Sequence, residues 1–227
     1  MKLNNAENLT LLFEAKRNKE QAEPMMKYMK GHFPFLGIKT PERKQLLNYF
    51  YKNNEILKEP FNEDYVGALW GKNEREYQYA ALDYIGRSLI KLEKDHLLLL
   101  EKLIITKSWW DTIDGIAPNS VAKIAGEFPE VIPETIDGWA YSDDMWLNRT
   151  SILFQLKFKE KTNELLLYKY IKQNAESKDF FIQKAIGWAL REYAKTNPAS
   201  VKHFIENNTL AKLSVREGSK HLKKSTY

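Results

Sequence analysis

Amphipathic stretches follow one another along the chain, each introduced by a helix start signal, with almost no strand pattern between them. Thr40, followed by Pro41, indicates a helix that runs through Phe50. Asn62 precedes acidic residues and indicates a helix through Trp70. Four more helix starts are indicated, at Ser108, Asp144, Asp179 and Asn197. The pattern therefore predicts an all-α protein.

The helical pattern repeats. Three stretches align without gaps: EYQYAALDYI from Glu76, WLNRTSILFQ from Trp146 and FIQKAIGWAL from Phe181. Their starts lie 70 and 35 residues apart, and the missing member falls on DTIDGIAPNS from Asp111. A period near 35 residues that holds two helices per unit is typical of an α-solenoid. We therefore predict one solenoid domain over residues 1–227.

The repeat places one polar side chain at the equivalent position of each unit, and we call this set the polar row: Tyr79, Asp114, Arg149 and Lys184. Trp110 comes one helical turn before Asp114, and Trp188 comes one turn after Lys184, so both tryptophans join the same face. Core positions of a solenoid are aliphatic. The row therefore predicts a concave, solvent-facing site.

Composition narrows the possible functions. A net charge of +5 and a pI near 9.0 favour a polyanionic partner such as nucleic acid. The absence of cysteine excludes disulfides, thiolate catalysis and cysteine-ligated metals. The N-terminus turns charged too early for a signal peptide, and no stretch reaches the length of a membrane span. We expect a cytoplasmic monomer that requires no protein partner and no membrane.

Common catalytic motifs are missing. The chain contains no Gly-x-Gly pair, which excludes nucleotide-binding loops and the hairpin of helix-hairpin-helix glycosylases. The histidines are scattered without metal-binding spacing. They are His32, His96, His203 and His221. We therefore expect neither a metal nor a nucleotide cofactor.

The polar row can still support chemistry. Asp114 can stabilise a developing positive charge or orient a water, and the two tryptophans can pack against a sugar or base. Arg149 and Lys184 can bind phosphates. An alternative stays open, because an Asp–Arg pair one repeat apart also suits a structural salt bridge between repeats.

Four long motifs stand out along the chain: EPMMKYMKGHFPFLGIKTPERK from Glu23, SWWDTID from Ser108, WLNRTSILFQLKFK from Trp146 and FFIQKAIGWALREYAKTNP from Phe180. Together they closely resemble the AlkD family of alkylpurine DNA glycosylases. The resemblance covers about Glu23 to Lys223. It implies HEAT-like repeats and a basic concave face that holds duplex DNA.

The resemblance also implies roles for individual residues. The catalytic carboxylate falls on Asp114 and its aromatic companions on Trp110 and Trp188. The phosphate-binding arginine falls on Arg149, and a DNA-contacting tyrosine falls on Tyr28. The implied activity is base excision repair of N3- and N7-alkylated purines, such as 3-methyladenine and 7-methylguanine, with the lesion left in or near the base stack.

Two other classes of function stay open at this point. A non-catalytic sensor of damaged DNA would keep the basic face but would not need Asp114. A protein-binding solenoid adaptor would bind polyanions only incidentally. Our expectation from the residues and the resemblance is a monofunctional glycosylase acting on alkylated double-stranded DNA.

Overall fold

The computed structural model describes residues 4–222, whose regular secondary structure is all helical and which divide into two compact units after Leu92. The first unit contains α1 (Asn5–Glu14), α2 (Lys19–Tyr28), α3 (Thr40–Asn53), α4 (Glu63–Gly71) and α5 (Arg75–Arg87). The second contains α6 (His96–Ile105), α7 (Trp110–Gly115), α8 (Ala122–Glu127), α9 (Asp137–Trp139), α10 (Met145–Leu153), α11 (Glu164–Gln173), α12 (Phe180–Tyr193), α13 (Pro198–Glu206) and α14 (Lys212–Gly218). The ends of the predicted domain, residues 1–3 and 223–227, lie outside the described residues.

The predicted all-α class is confirmed, because the described part of the chain holds no strand. Within the units, α4 packs on α5, α9 packs on α10 and α11 packs on α10, as expected for HEAT-like helix pairs. None of the helices between residues 4 and 222 has the length and apolar character needed to cross a bilayer.

Most of the predicted helix starts are confirmed by their capping bonds. The side chain of Asn62 accepts from the backbone N–H of Tyr65, and Asp144, Asp179 and Asn197 cap α10, α12 and α13 in the same way. Two assignments were wrong by one residue. Thr40 lies inside α3 after an extended Lys39, and the Ser108 hydroxyl donates to Ile104 at the end of α6 instead of capping α7.

The repeat seen in the sequence has a structural counterpart in a recurring amide. The aligned stretches lie in α5, α10 and α12, and the third residue of each is Gln78, Asn148 or Gln183. Each amide donates to backbone carbonyls in the turn before its own helix or at the end of the helix before that turn: Gln78 to Trp70 and Lys72, Asn148 to Trp139 and Ser142, and Gln183 to Ser177. These bonds satisfy carbonyls that a tight turn would otherwise leave unpaired. They hold each turn against the helix that follows it.

Two glycines allow α12 and α14 to pack closely. A Cβ at Gly187 would lie 2.5 Å from the Cβ of Glu217 and 3.1 Å from the carbonyl oxygen of Ser214. A Cβ at Gly218 would lie 3.0 Å from the Cβ of Leu190. The absence of side chains at both positions therefore sets the spacing between the two helices.

Gly187→Ala should destabilise the protein by about 1–3 kcal/mol, because the added methyl group overpacks the α12–α14 contact. Gly86→Ala is the matched control, since a Cβ at Gly86 in α5 would meet nothing within 4 Å. We expect the control to be neutral or to stabilise by up to about 1 kcal/mol, because alanine favours helix more than glycine does. Urea unfolding measures both, and equal effects of the two substitutions would contradict this account of the packing.

Candidate active site

Three members of the polar row lie on neighbouring helices of the second unit. Asp114 is on α7, Arg149 on α10 and Lys184 on α12, and α10 contacts both α7 and α12. The fourth member, Tyr79, belongs to α5 in the first unit, where Tyr28 also lies at the end of α2 with 70% of its surface exposed. Trp110 and Trp188 are both half-buried.

Asp114 and Arg149 form an ion pair across one repeat. Nε and Nη2 of Arg149 both donate to Oδ1 of Asp114, at 3.0 and 2.7 Å. Nη1 of Arg149 donates to the backbone carbonyl of Phe181, so the guanidinium also bonds to α12. The other carboxylate oxygen, Oδ2, has no hydrogen-bond partner within residues 4–222. The pair thus fixes the carboxylate and leaves one oxygen available.

The two partners differ in exposure. The Arg149 side chain is 5% exposed and the Asp114 side chain is 23% exposed. Burial raises the pKa of Asp114 above its ordinary value, the charge and hydrogen bonds of Arg149 lower it, and the nearby charge of Asp111 raises it. Arg149 therefore favours the ionised form of the carboxylate, against the desolvation that favours its protonated form.

An aromatic cluster lies beside this ion pair. The ring centroids of Trp109 and Phe181 are 5.1 Å apart, and those of Trp146 and Phe181 are 5.2 Å apart. Trp109 and Trp146 complete the triangle at 5.8 Å. Aromatic pairs in this range are stabilising beyond their burial. The cluster joins the starts of α7, α10 and α12, and so fixes the helices that present the row.

The backbone hydrogen-bond pattern changes from α-helical to π-helical just after Asp114. Pro118 lies four residues later and has no N–H to donate to the Asp114 carbonyl, and the helix continues as a π segment over Ile116–Val121. The Asn119 side chain donates to the carbonyl of Gly115 at 2.7 Å, and Lys157 donates to Asn119 at 2.6 Å. Such π segments are frequent at functional sites. The predicted helical context of Asp114 is thus correct, but the α-helical hydrogen bonding gives way to a π segment after Gly115.

Lys184 is bound to a carboxylate that the sequence did not indicate. Glu217 on α14 is 6% exposed and accepts from three cations. Its distances are 3.2 Å to Lys184, 2.9 Å to Arg191 and 2.6 Å to Lys220. These hydrogen bonds, that of Lys220 above all, lower the pKa of Glu217 to about 2 against the opposing effect of desolvation. The phosphate contact of Lys184 stays a prediction.

No group of three or more potential ligand side chains that could hold a metal ion occurs within the described part of the chain. The site therefore consists of a fixed carboxylate, a buried guanidinium, two half-buried indoles and a cluster of cations around Glu217. That set can stabilise positive charge at one point and bind anions beside it.

Two comparisons with known proteins name DNA alkylation repair. The family model described as DNA alkylation repair enzyme matches residues 9–222. A solved structure described as a predicted DNA alkylation repair enzyme from Enterococcus faecalis is 34% identical, with a TM-score of 0.85 over 92% of this chain and 98% of that one. The crystal structure of smu.31 from Streptococcus mutans UA159 is 17% identical, with a TM-score of 0.62 over 97% and 100%, and shows the fold alone. No curated protein sequence matches the chain.

Glu217→Gln should lower the free energy of unfolding near neutral pH by about 2 kcal/mol, because charge-assisted hydrogen bonds to three cations are weakened. The pKa of Glu217 is depressed in the folded protein, so its contribution is complete above about pH 4.5 and is lost as the pH falls toward about 2. Denaturant unfolding of wild type and variant between pH 3 and pH 8 checks this. A difference that stays constant across the range would contradict the assignment.

Proposed function

The chain belongs to the DNA alkylation repair enzyme family, and we propose that it is a monofunctional DNA glycosylase of the AlkD type. Its substrates are cationic N3- and N7-alkylated purines in duplex DNA, and its reaction is hydrolysis of the N-glycosidic bond. The observation that carries the proposal is the carboxylate of Asp114, held at Oδ1 by Arg149 while Oδ2 has no partner within residues 4–222.

The charge on the substrate explains how one carboxylate can suffice. An N3- or N7-alkylated purine already carries positive charge, so it leaves with the bonding electron pair as a neutral base and needs no proton. Positive charge then develops on the deoxyribose. A carboxylate at about 4 Å is worth roughly 4 kcal/mol at an effective dielectric near 20, or about a thousandfold in rate. Arg149 offsets part of this attraction while holding the carboxylate in position.

The reaction is completed by water. We assign Oδ2 of Asp114 as the acceptor that orients a water toward C1′ of the sugar. The water oxygen forms the new bond to C1′, the bond to the purine nitrogen breaks, and the proton of the water passes to the carboxylate and then to solvent. A neutral purine such as hypoxanthine would need a proton that none of the assigned residues supplies, so excision is confined to cationic lesions.

We assign the two tryptophans as the aromatic surface of the proposed site. Trp110 lies one turn before Asp114 on the same helix, and Trp188 lies on α12. Each is half-buried and so keeps part of its indole accessible. An indole face is worth about 0.5–2 kcal/mol to a cation beside it. We assign both to contact the cationic nucleoside.

Binding of DNA is assigned to three further residues. Tyr28 is exposed, and Lys184 keeps 38% of its side chain accessible beside Glu217. Arg149 is so deeply buried that we assign it first as a positioning residue for Asp114, with its remaining N–H groups available to a phosphate. A concave basic face, a monomeric state and a lesion left in the base stack belong to the same proposal.

Asp114→Asn tests the proposal directly. We expect base release to fall about a thousandfold, because the electrostatic term is lost, while binding of duplex DNA stays equal or becomes tighter. Single-turnover release of 3-methyladenine or 7-methylguanine is measured beside a binding titration. The control is Asp137→Asn, which removes a carboxylate paired with Lys169 on another helix pair.

The possible results separate the classes of function. Base release by wild type that falls only in Asp114→Asn supports the enzyme. Binding to alkylated DNA without release by wild type would replace the glycosylase with a damage sensor. Neither binding nor release would replace it with a protein-binding adaptor.

The pH dependence of base release should reveal the role of Arg149. Burial raises the pKa of Asp114, so release should fall as the pH drops through a value above 3.8 and should be level above it. In Arg149→Met the fall in base release should occur at a higher pH, because the influence that lowers the pKa of Asp114 is gone. Arg149→Lys should bring the fall part of the way back to its wild-type pH, and Lys169→Met should not shift it. A fall at the wild-type pH in Arg149→Met would contradict the positioning role.

A further inference from the structure

A guanidinium in the first unit stacks on the remaining member of the polar row. The Cζ atom of Arg43, in the first turn of α3, lies 4.4 Å from the ring centroid of Tyr79 on α5. The Cζ atom of Arg75 lies 5.9 Å from the same ring and 3.8 Å from the ring of Phe33. Two guanidinium groups thus lie against the ring of Tyr79. Tyr79 occupies the repeat position that Asp114 occupies in the second unit.

Arg43 differs from another tyrosine-stacked arginine of the same unit. The Cζ atom of Arg87 lies 5.0 Å from the ring of Tyr51, but its guanidinium also donates to Asp83 and Asn48, both at 2.6 Å. Within residues 4–222 the guanidinium of Arg43 donates only a long hydrogen bond, 3.5 Å to the hydroxyl of Thr40, and no carboxylate lies within ion-pair distance of it.

Hydrogen bonds and close backbone packing fix the segment that precedes Arg43. The carboxylate of Glu76 accepts from the backbone N–H groups of Leu36, Gly37 and Ile38 at 2.9–3.0 Å, which ties the segment before α3 to α5. Gly37 has a φ of +91°, and a Cβ there would lie 2.0 Å from the carbonyl oxygen of Asn18. The start of α3 is therefore fixed against the helix that carries Tyr79.

A guanidinium placed in this way has no carboxylate in direct contact, and the charges of Glu76 and Asp83 act on it only from beyond ion-pair distance. It is partly desolvated by its position on the ring, and that burial lowers the pKa of Arg43. Its planar set of N–H donors matches a phosphate or carboxylate in a two-bond contact. A ligand anion would give Arg43 the direct contact that Asp83 makes with Arg87 at 2.6 Å.

We propose that Arg43, stacked on Tyr79, binds a phosphate of the backbone of duplex DNA. The choice of DNA rests on the proposed function, and the net charge of +5 and the repeat position of Tyr79 agree with it. Arg43 thus adds a backbone contact in the first unit to those assigned in the second. Such a contact positions the duplex without reading its bases.

Binding of an undamaged duplex, followed by fluorescence anisotropy over a salt series, tests the contact. Arg43→Met should weaken binding about tenfold and reduce the slope of log K against log salt by about one unit, because one phosphate contact is lost. Arg87→Met removes an arginine that is also stacked on a tyrosine but already neutralised, and should leave the slope unchanged. Thermal unfolding verifies that each variant is folded. A slope for Arg43→Met equal to that of wild type overturns the proposal.

A second measurement does not require Arg43→Met to fold. Duplexes with a single uncharged methylphosphonate are scanned against wild type and Arg43→Lys. Wild type should lose affinity at one phosphate where Arg43→Lys, which lacks the two-bond geometry, loses distinctly less. Identical profiles for the two proteins overturn the contact, including the case in which Arg43 serves an acidic protein segment instead.

These assays separate the inference from the glycosylase assignment, because they use undamaged DNA and need no base release. A wild type that binds DNA with an Arg43-dependent salt slope but releases no base would refute the reaction and keep the contact. A wild type that releases base while Arg43→Met keeps the full slope would refute the contact and keep the reaction.

Discussion

The ion pair between Asp114 and Arg149 is the interaction on which the candidate site depends. A guanidinium that is 5% exposed requires a partner, and a carboxylate that is 23% exposed gives it one across a single repeat. Because Nη1 of Arg149 also bonds to the carbonyl of Phe181, α7, α10 and α12 meet at one side chain. The two interpretations open at the sequence level, a salt bridge between repeats and a chemical site, are therefore compatible. The bond that joins the repeats is also the one that orients the carboxylate.

Aromatic packing, a proline and two glycines hold the helices of the second unit that carry this ion pair and Lys184. The triangle of Trp109, Trp146 and Phe181 fixes the starts of the three helices. Pro118 ends α7 just beyond Asp114 and brings in the π segment. Gly187 and Gly218 allow α14 to approach α12 closely enough for Glu217 to reach Lys184. Each of these features acts on a helix that carries a member of the polar row.

The sequence could predict the features that follow from the repeat period or from local capping, but not the side-chain contacts made between distant helices. A step of 35 residues places Asp114 and Arg149 in register, and the structure joins these two residues by a hydrogen bond. Asn62, Asp144 and Asp179 were identified because capping is a local interaction. Glu217 was missed because it lies outside every repeat window and reaches Lys184 only through the packing of α14 on α12. The pairing of Arg149 was left open for the same reason, since its sequence position fits both a carboxylate and a phosphate.

A carboxylate that acts on DNA faces an electrostatic conflict, because the phosphates that bring the substrate also repel it. In the proposed function, Arg149 resolves part of this conflict by neutralising Asp114 at close range, but a paired arginine has less charge to offer the duplex. Glu217 reduces the net charge of its three cations in the same manner. We therefore expect affinity for the backbone to depend more on cations without a contact ion pair than on Arg149 and Lys184, and Arg43 has no carboxylate within ion-pair distance in residues 4–222. In the proposed function, chemistry rests on Asp114 and attachment to the duplex rests mainly on other side chains, so either can weaken without the complete loss of the other.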